Sequence, residues 1–599
     1  MQVILDGQSL NVDACTVYVL LQKQGKSFYR LDHPFYAFIQ NPDCPLLNLV
    51  EVNGKVYSAL ALKQKLVQEG MEINTESETI KKLLAERLEK LEKDHECLLI
   101  REMQEIVARD AADSRLLDFE ARQGWQFELR KSWPSTVHDA NKCVRCGGCV
   151  TICNEIQEVG ALCMDPDQGV LIDDQKCVRC GQCVLVCPLG YAEQNIKAFV
   201  EWMGCKLCPF SQPVAAFHEE DNIFDVWEAL QDKDKFVVVQ FAPSVRASLG
   251  EFFDMPAGSL VMGKLYAALR RLGFDHVGDT NFGADLTIME EGHELVKRIT
   301  EGGVLPQFTS CCPAWIRYCE TFYPELIPHI SSAKSPQQMF GPIAKTYLAE
   351  KRGIDPRKMI VVSIMPCTAK KFECTREEMC GAWKYWIEKG EVGEGERFPD
   401  VDYVLTTREC ARLLKMGGID LKEMPEERPD PLVGEYTGAA TIFGRTGGVM
   451  EAALRTAYEV ITGKGLSKLE FEILGGLNNI KTAEIGINGK KIKVAVAHSL
   501  KAVKEICDSV KAGGEFAKCT FIEFMACPGG CIGGGGQPVL TSLKTIEARI
   551  EGLNTDDRHR SLRKSHENPE IKQLYQDFLK EPLSHLSHHL LHTTYRART

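Results

Sequence analysis

The chain has no run approaching the roughly 18 apolar residues of a membrane helix, which excludes a helical anchor. It also lacks a basic excess. Lysine plus arginine total 71 against 83 acidic residues, and a formal charge of −12 argues against a general nucleic-acid binder. The opening MQVILDGQSL alternates like a strand and lacks the charged-then-apolar build of a signal peptide, so a cytoplasmic protein is expected. No nucleotide-binding glycine fingerprint is visible, so a nicotinamide or flavin would have to sit on another subunit. Low-complexity segments are absent. A hydrophobic content of 44% and a charged content of 26% are those of a globular protein, and 599 residues suit about three to five domains. Cysteine, by contrast, is abundant, with 25 residues.

Disulfides would need an oxidising compartment, and this chain is far larger than a stapled mini-domain. The rival reading is soft-metal ligation, and spacing favours it. Two near-identical runs, Cys143-x2-Cys146-x2-Cys149-x3-Cys153 and Cys177-x2-Cys180-x2-Cys183-x3-Cys187-Pro188, form the one internal repeat. A CxxCxxC loop wraps three corners of a cubane and its fourth cysteine serves the second cubane. One 4Fe–4S cluster is therefore assigned to Cys143, Cys146, Cys149 and Cys187, and another to Cys177, Cys180, Cys183 and Cys153. Asn154 stands where the first run would usually carry proline, at no cost in ligands. A pair of zinc sites is the alternative, and eight cysteines in this register argue against it.

Patterning divides the chain into a multidomain α/β protein. Residues 1–75 read as β-rich, with Asn53-Gly54 as a hairpin turn, and residues 76–135 as helical, with Ile80, Leu84, Leu88 and Leu91 on one face. Residues 136–215 hold the cysteine runs, where metal rather than an apolar core supplies stability. Residues 216–560 alternate buried-strand candidates such as FVVVQFA (236–242) and MIVVSIM (359–365) with helical stretches, and residues 561–599 form a helical tail.

Within the large domain, TSCCPAW (309–315), MPCTAKKFE (365–373) and EFMACPGGCIGGGGQP (523–538) stand out. Four thiolates are needed to hold a cubane, and Cys312, Cys367, Cys527 and Cys531 are placed to supply them. The glycine run is not a phosphate loop, because Pro538 follows it instead of Lys-Ser/Thr. Adjacent thiols rarely ligate one metal centre together, so one of Cys311 and Cys312 needs another role. Glu291, Glu294 and Arg298 share a helical face which, standing alone, reads as solvated surface.

The three motifs together resemble the signature motifs of the iron-only, or FeFe, hydrogenases, over most of the chain from about 140 onward. The resemblance implies reversible chemistry between protons and hydrogen at an H-cluster, a 4Fe–4S cubane joined through Cys531 to a two-iron subcluster carrying CO, CN and a dithiolate. It implies that Cys311 passes protons to that bridge and that Lys370 donates to a cyanide. Ala242, Pro243, Ser244 and Gln337 would line the iron pair, with Met365 and Met525 packed against the cluster. A proton relay would run inward through Arg298, Glu294, Ser331, Glu291 and Cys311. The segment IFGRTGGVMEAALRTA (442–457) resembles a stretch near the active site and also reads as a helix N-terminus. Partners implied are ferredoxin or an electron-transfer subunit, and the proteins that mature the H-cluster, in an anaerobic cytoplasm.

Larger members of that family begin with a β-grasp-like 2Fe–2S ferredoxin domain and a His/Cys cluster module. Here Cys15, Cys44, Cys97 and His95 are isolated, so residues 1–135 are expected to bind no cluster. Cys205 and Cys208 have metal-ligand spacing but do not complete a site; a shared cluster, a redox pair and structural thiols all stay open. His585, His588, His589 and His592 in the tail are expected to pack or face solvent. A hydrogen sensor, or an iron–sulfur assembly protein of the same architecture, is the alternative function.

Overall fold

The computed structural model describes residues 2–12, 20–21, 24, 49–58, 68, 70–82, 135–138, 147–165, 169–187, 217–464, 478–487, 490–539 and 541–598. Expectations for Cys15, Cys44, His95, Cys97, Cys143, Cys146, Cys205 and Cys208, and for the helix beyond residue 82, lie outside the described residues. The chain forms two compact units, one of Met1–Cys177, Gln182–Glu220 and Val539–Leu543, the other of Val178–Gly181, Asp221–Pro538 and Lys544–Thr599.

In the first unit, β1 (Gln2–Leu5), β2 (Gln8–Asn11), β3 (Leu49–Val52), β4 (Lys55–Ser58) and β5 (Glu72–Asn74) make a mixed sheet in the order β2-β1-β5-β3-β4. Period-two alternation puts Val3, Leu5, Val50, Val52 and Ile73 on one buried face. Asn53 and Gly54, with φ of 50° and 78°, make the tight β3–β4 turn that their sequence announces. Strand β6 (Thr136–His138) and the hairpin of β7 (Leu162–Asp165) and β8 (Gly169–Ile172) follow. Strand β9 (Phe217–Glu219) pairs antiparallel with β6, and the first unit runs to Glu220.

The second unit contains two four-stranded sheets. Strands β10 (Phe236–Phe241), β11 (His276–Val277), β13 (Met359–Met365) and β14 (Tyr403–Thr406) are parallel, in the order β11-β10-β13-β14. The second sheet orders β12 (Gln307–Phe308), β17 (Phe521–Met525), β16 (Lys490–His498) and β15 (Ile480–Ile487), with β15 as its antiparallel edge. The continuous apolar runs FVVVQF and MIVVSIM suit strands covered on both faces. Parallel strands deliver their carboxyl ends to one edge of a sheet, where ligand crevices form in open α/β folds. The chain leaving β10, β12, β13 and β17 carries Ala242–Ser244, Cys311–Cys312, Cys367 and Cys527 respectively.

Helix α1 (Thr280–Glu301) is the long helix of this unit, capped by Asp279, whose side chain accepts from the Asn281 N–H at 2.8 Å. Helices α2 (Pro313–Phe322), α3 (Pro336–Ile343), α4 (Ala369–Cys374), α5 (Gly448–Thr462) and α6 (His585–Leu591) complete the parts that shape the site. Gly283 lets α3 approach α1, since a Cβ there would lie 2.3 Å from the Pro336 carbonyl oxygen. Among the described residues no helix is long and apolar enough to cross a membrane.

Gly283→Ala is expected to destabilise the protein by about 1–3 kcal/mol through overpacking. Gly292→Ala, on the same helix with nothing within 4 Å of the new Cβ, is expected to stabilise it by about 0.5–1 kcal/mol. Calorimetric melting of both variants checks this, and equal shifts would mean that the α1–α3 contact is not tight.

Candidate active site

The strand ends enclose a cavity of about 770 Å3, mouth included. Ala242, Pro243 and Ser244 line it after β10, Cys311 and Cys312 before α2, and Gln337 from α3. Met365 and Cys367 reach it around the end of β13 and Lys370 from α4, while Met525, Cys527 and Cys531 come from β17 and the loop beyond. All twelve residues expected there from the sequence are thus brought together.

Cys367 and Cys527 are buried, and Cys312 and Cys531 half-buried against the cavity. Burial pushes all four thiols up, Cys367 to about 12, so they need a cation to become thiolates. Among the described residues no three His, Cys, Asp or Glu converge on a single metal ion. Four thiols spread around one cavity suit a polynuclear iron–sulfur cluster. Glycines give the room: a Cβ on Gly530 would lie 2.6 Å from the Thr446 nitrogen, and one on Gly534 2.1 Å from the Pro366 oxygen. The residues present therefore fit a cubane.

The loop is anchored from below. The Arg408 guanidinium donates to the Gly535 and Gln537 carbonyls at 2.7 and 2.6 Å. The Gln537 side chain accepts from Ser248 and Thr407 at 2.7 and 2.9 Å. Buried Arg246, paired with Asp279 at 2.8 Å and Asp556 at 3.2 Å, holds the loop after β10. The segment 442–457 takes both of its expected roles. Phe443 and Gly444 line the cavity, and Gly448 opens α5 with the Glu523 carboxylate accepting from Gly447 and Met450 N–H at 2.7 Å each.

Lys370 Nζ donates to Glu373 Oε2 at 2.9 Å and to the Cys311 carbonyl at 3.1 Å. Burial opposes its charge, but Glu373 outweighs it and holds the ammonium above its ordinary value. Glu373 is itself fixed by Ser335 at 2.8 Å and Gln337 at 3.2 Å. This cation faces a cavity lined by thiols, a setting for an anionic ligand.

On α1, Arg298, Glu294 and Glu291 share the expected face. Arg298 donates through Nε and Nη2 to Glu294 Oε1 at 3.1 and 2.6 Å, and through Nη1 and Nη2 to the carbonyls of Val304, Pro328, His329 and Ile330. These bonds fix the guanidinium against Glu294. Ser331 donates to Glu294 Oε2 at 2.7 Å. Glu291 is fully buried and neither carboxyl oxygen has a hydrogen-bond partner. Burial, then the neighbouring Glu294, pushes it up to about 8, which the nearby Ser310 amide and Ser331 hydroxyl only partly offset. Burial, then the charge of Glu291, raises the Cys311 thiol.

Residues 235–535 match the family described as the C-terminal domain of the iron-only hydrogenase large subunit. Residues 543–598 match the iron hydrogenase small subunit family, and residues 168–189 a 4Fe-4S binding domain family. The chain is 36% identical to iron hydrogenase 1 of Clostridium pasteurianum over 99% of both chains. The chain belongs to the iron-only hydrogenase family. It is also 45% identical to the NADP-reducing hydrogenase subunit HndD of Solidesulfovibrio fructosivorans, covering 78% of this chain and 75% of that one. A solved FeFe-hydrogenase HydA1 variant from Chlamydomonas reinhardtii is 42% identical with a TM-score of 0.55, covering 63% of this chain and 99% of that one.

In the first unit of this hydrogenase, Cys149 and Cys187 are buried and Cys153, Cys177 and Cys183 half-buried. Burial, with Cys177 close by, raises the Cys153 thiol. The Phe217 N–H donates to Cys187 Sγ at 3.5 Å. Asn154 donates to the Leu162 carbonyl at 2.8 Å and so ties its turn to β7. Cys180 belongs to the second unit: a Cβ on Gly181 would lie 2.3 Å from Thr368 Oγ1, and one on Gly535 2.4 Å from the Cys180 carbonyl oxygen. Burial, then Cys367, Cys312 and Cys180, raise the Cys527 thiol. Sequence reasoning missed Thr280, Ala284 and Phe443 on the cavity wall, and Glu373 and Gln537 behind it. Phe443, Glu373 and Gln537 lay in segments that the sequence had marked, whereas Thr280 and Ala284 did not.

Glu291 also predicts a pH trend. Below pH 4.5 its carboxyl is neutral folded or unfolded; between 4.5 and about 8 only the unfolded chain ionises freely, so stability falls as pH rises. Glu291→Gln removes that loss. The melting temperature of the variant minus that of the wild type is expected to rise from about pH 5 to about pH 8. A pH-independent difference would show that Glu291 ionises normally.

Proposed function

We propose that this iron-only hydrogenase catalyses 2H⁺ + 2e⁻ ⇌ H2 at an H-cluster whose cubane is held by Cys312, Cys367, Cys527 and Cys531. The observation that carries the reading is the convergence of these thiols with Cys311, Lys370, Gln337 and the two methionines on one cavity. When bound, the H-cluster supplies the two-electron chemistry. The chain supplies ligation, a cationic donor at Lys370, a dry wall, and a proton path. An assembly protein of the same architecture has no use for Cys311 and Lys370 at one cavity, and that pairing favours the hydrogenase.

Protons reach the cavity through Glu294, Ser331, Glu291 and Cys311, with Arg298 fixing the outer carboxylate. The 2.7 Å Ser331–Glu294 bond and the protonated character of Glu291 support this order. Electrons arrive through two 4Fe–4S clusters, one on Cys143, Cys146, Cys149 and Cys187, the other on Cys177, Cys180, Cys183 and Cys153. Residues 1–75 act as a cluster-free β-grasp-like domain, a reading their mixed sheet supports. Ferredoxin is one donor. The likeness to a subunit of an NADP-reducing hydrogenase also favours a separate partner that brings the nucleotide chemistry. The setting is a reducing, anaerobic cytoplasm, where maturation proteins install the iron pair.

Anaerobically matured protein is expected to evolve hydrogen from a reduced dye and to hold about 14 iron atoms, given cubane ligation by four cysteines each. Cys311→Ala is expected to keep the iron and lose at least about 100-fold in rate, the scale of a lost proton-transfer group. An inactive matured wild type would overturn the hydrogenase reading; a fully active variant would overturn the relay alone. A count near 16 or 18 would reveal a further cluster.

A further inference from the structure

After α6 the chain runs beside residues 331–334. The Lys334 N–H donates to the Leu591 carbonyl and the Thr593 N–H to the Ser332 carbonyl, each at 2.8 Å. His592, 8% exposed, is thereby set against α1 instead of lying on the surface. Its Nε2 lies 3.0 Å from Glu290 Oε2 and its Nδ1 2.8 Å from Ser332 Oγ. Ser332 Oγ is in turn 3.3 Å from Glu294 Oε2, and the Ser332 N–H donates to the same oxygen at 3.0 Å.

We propose that His592 is a second proton-exchange point on the relay, trading protons with Glu294 through the Ser332 hydroxyl and with solvent beside His588. The inference rests on the reading of Glu294 as a relay residue and extends it to a residue of the tail.

The direction of each hydrogen bond follows from what each group can do. Glu290 accepts from the Tyr575 hydroxyl and, at 2.9 Å, from the Leu583 N–H. Burial raises its carboxyl, but His592 and these donors outweigh that and keep it ionised. An ionised carboxylate only accepts, so Nε2 carries a hydrogen. A neutral imidazole has one N–H, so Nδ1 accepts, and its donor is the Ser332 hydroxyl. The Ser332 oxygen then keeps a lone pair facing Glu294. In the outward step the proton on Glu294 Oε2 moves to Ser332 Oγ while the Ser332 proton moves to His592 Nδ1. The Glu294 O–H and Ser332 O–H bonds break, a new Ser332 O–H and an Nδ1–H form, and no electrons change hands. The products are the Glu294 carboxylate and an imidazolium neutralised by Glu290. Inward transfer reverses each move.

The outer end is open. The exposed His588 ring lies 4.2 Å from His592, centroid to centroid, and burial with the adjacent His592 holds it below its ordinary value, so it sheds protons readily. The titratable or charged groups around the pair are Glu290, Glu294 and Lys297 on α1, Tyr575 from the turn before α6, and His588 itself. A plain packing role needs the Glu290 and Ser332 bonds. It does not need the Ser332 hydroxyl to bridge a histidine to the outer relay carboxylate.

The test uses the matured holoenzyme and its His592→Gln, His592→Ala, Ser332→Ala and Glu294→Gln variants, with iron content and melting temperature measured beside activity. Hydrogen evolution from a reduced dye is followed from pH 6 to pH 9. His592→Gln is expected to lose about tenfold at pH 6 and to converge on wild type at pH 9, with KM for the dye unchanged. Ser332→Ala should reproduce that profile, which keeps the test decisive if a His592 variant folds poorly. Added imidazole should restore His592→Ala at pH 6. A wild-type profile in both His592→Gln and Ser332→Ala overturns the proposal. If Glu294→Gln is also fully active, the relay reading falls with it; if Glu294→Gln is inactive, the relay stands and only the branch is lost.

Discussion

Burial raises the thiols of Cys312, Cys367, Cys527 and Cys531, so the cluster proposed for this cavity would have to supply the charge that turns them into thiolates. Their neighbours follow from that demand. A cluster carrying negative charge in a low-dielectric cavity needs a cation that burial has not neutralised, and Lys370 keeps its charge because Glu373 stands behind it. Glu373 keeps its orientation because Ser335 and Gln337 donate to it. The loop bearing Cys531 can approach the end of β13 only because it is glycine, and it stays there because Arg408 grips its carbonyls. Rigidity comes from buried polar bonds rather than bulk.

The same dryness makes the acids of α1 depend on the donors around them. Glu290 and Glu294 meet close donors and hold their places through them, whereas burial and the neighbouring Glu294 push the Glu291 carboxyl up. Carboxyl groups in such different surroundings along one helix suit the proton path proposed above, since each site must both take and give. Helical periodicity supplies the alignment without cost, as residues three and four apart stack on one face.

Much of this was legible in the sequence, for a physical reason. Iron–sulfur ligation imposes short, local spacings, so the CxxC runs and the three cysteine motifs announced their chemistry, and the apolar runs of β10 and β13 announced a buried parallel sheet. The face shared by Glu291, Glu294 and Arg298 is likewise local. What escaped is contact at long range. Arg246 meets Asp556 across 310 residues and His592 meets Glu290 across 302, and a single hydrogen bond between distant segments leaves no period to read. Cys180 illustrates the same limit: its motif gave its chemistry, but only the packing of Gly181 on Thr368 shows which unit the loop tip joins.

Residues 543–598 match a family described as a hydrogenase small subunit, yet here they continue the same polypeptide as the catalytic domain. Covalent continuity replaces a bimolecular association with a tether, so the strand carrying His592 competes for its seat at a fixed effective concentration set by the chain, not by expression level. Dilution cannot empty that seat; only local unfolding of the tail can, and the free energy of that opening becomes a property of one molecule.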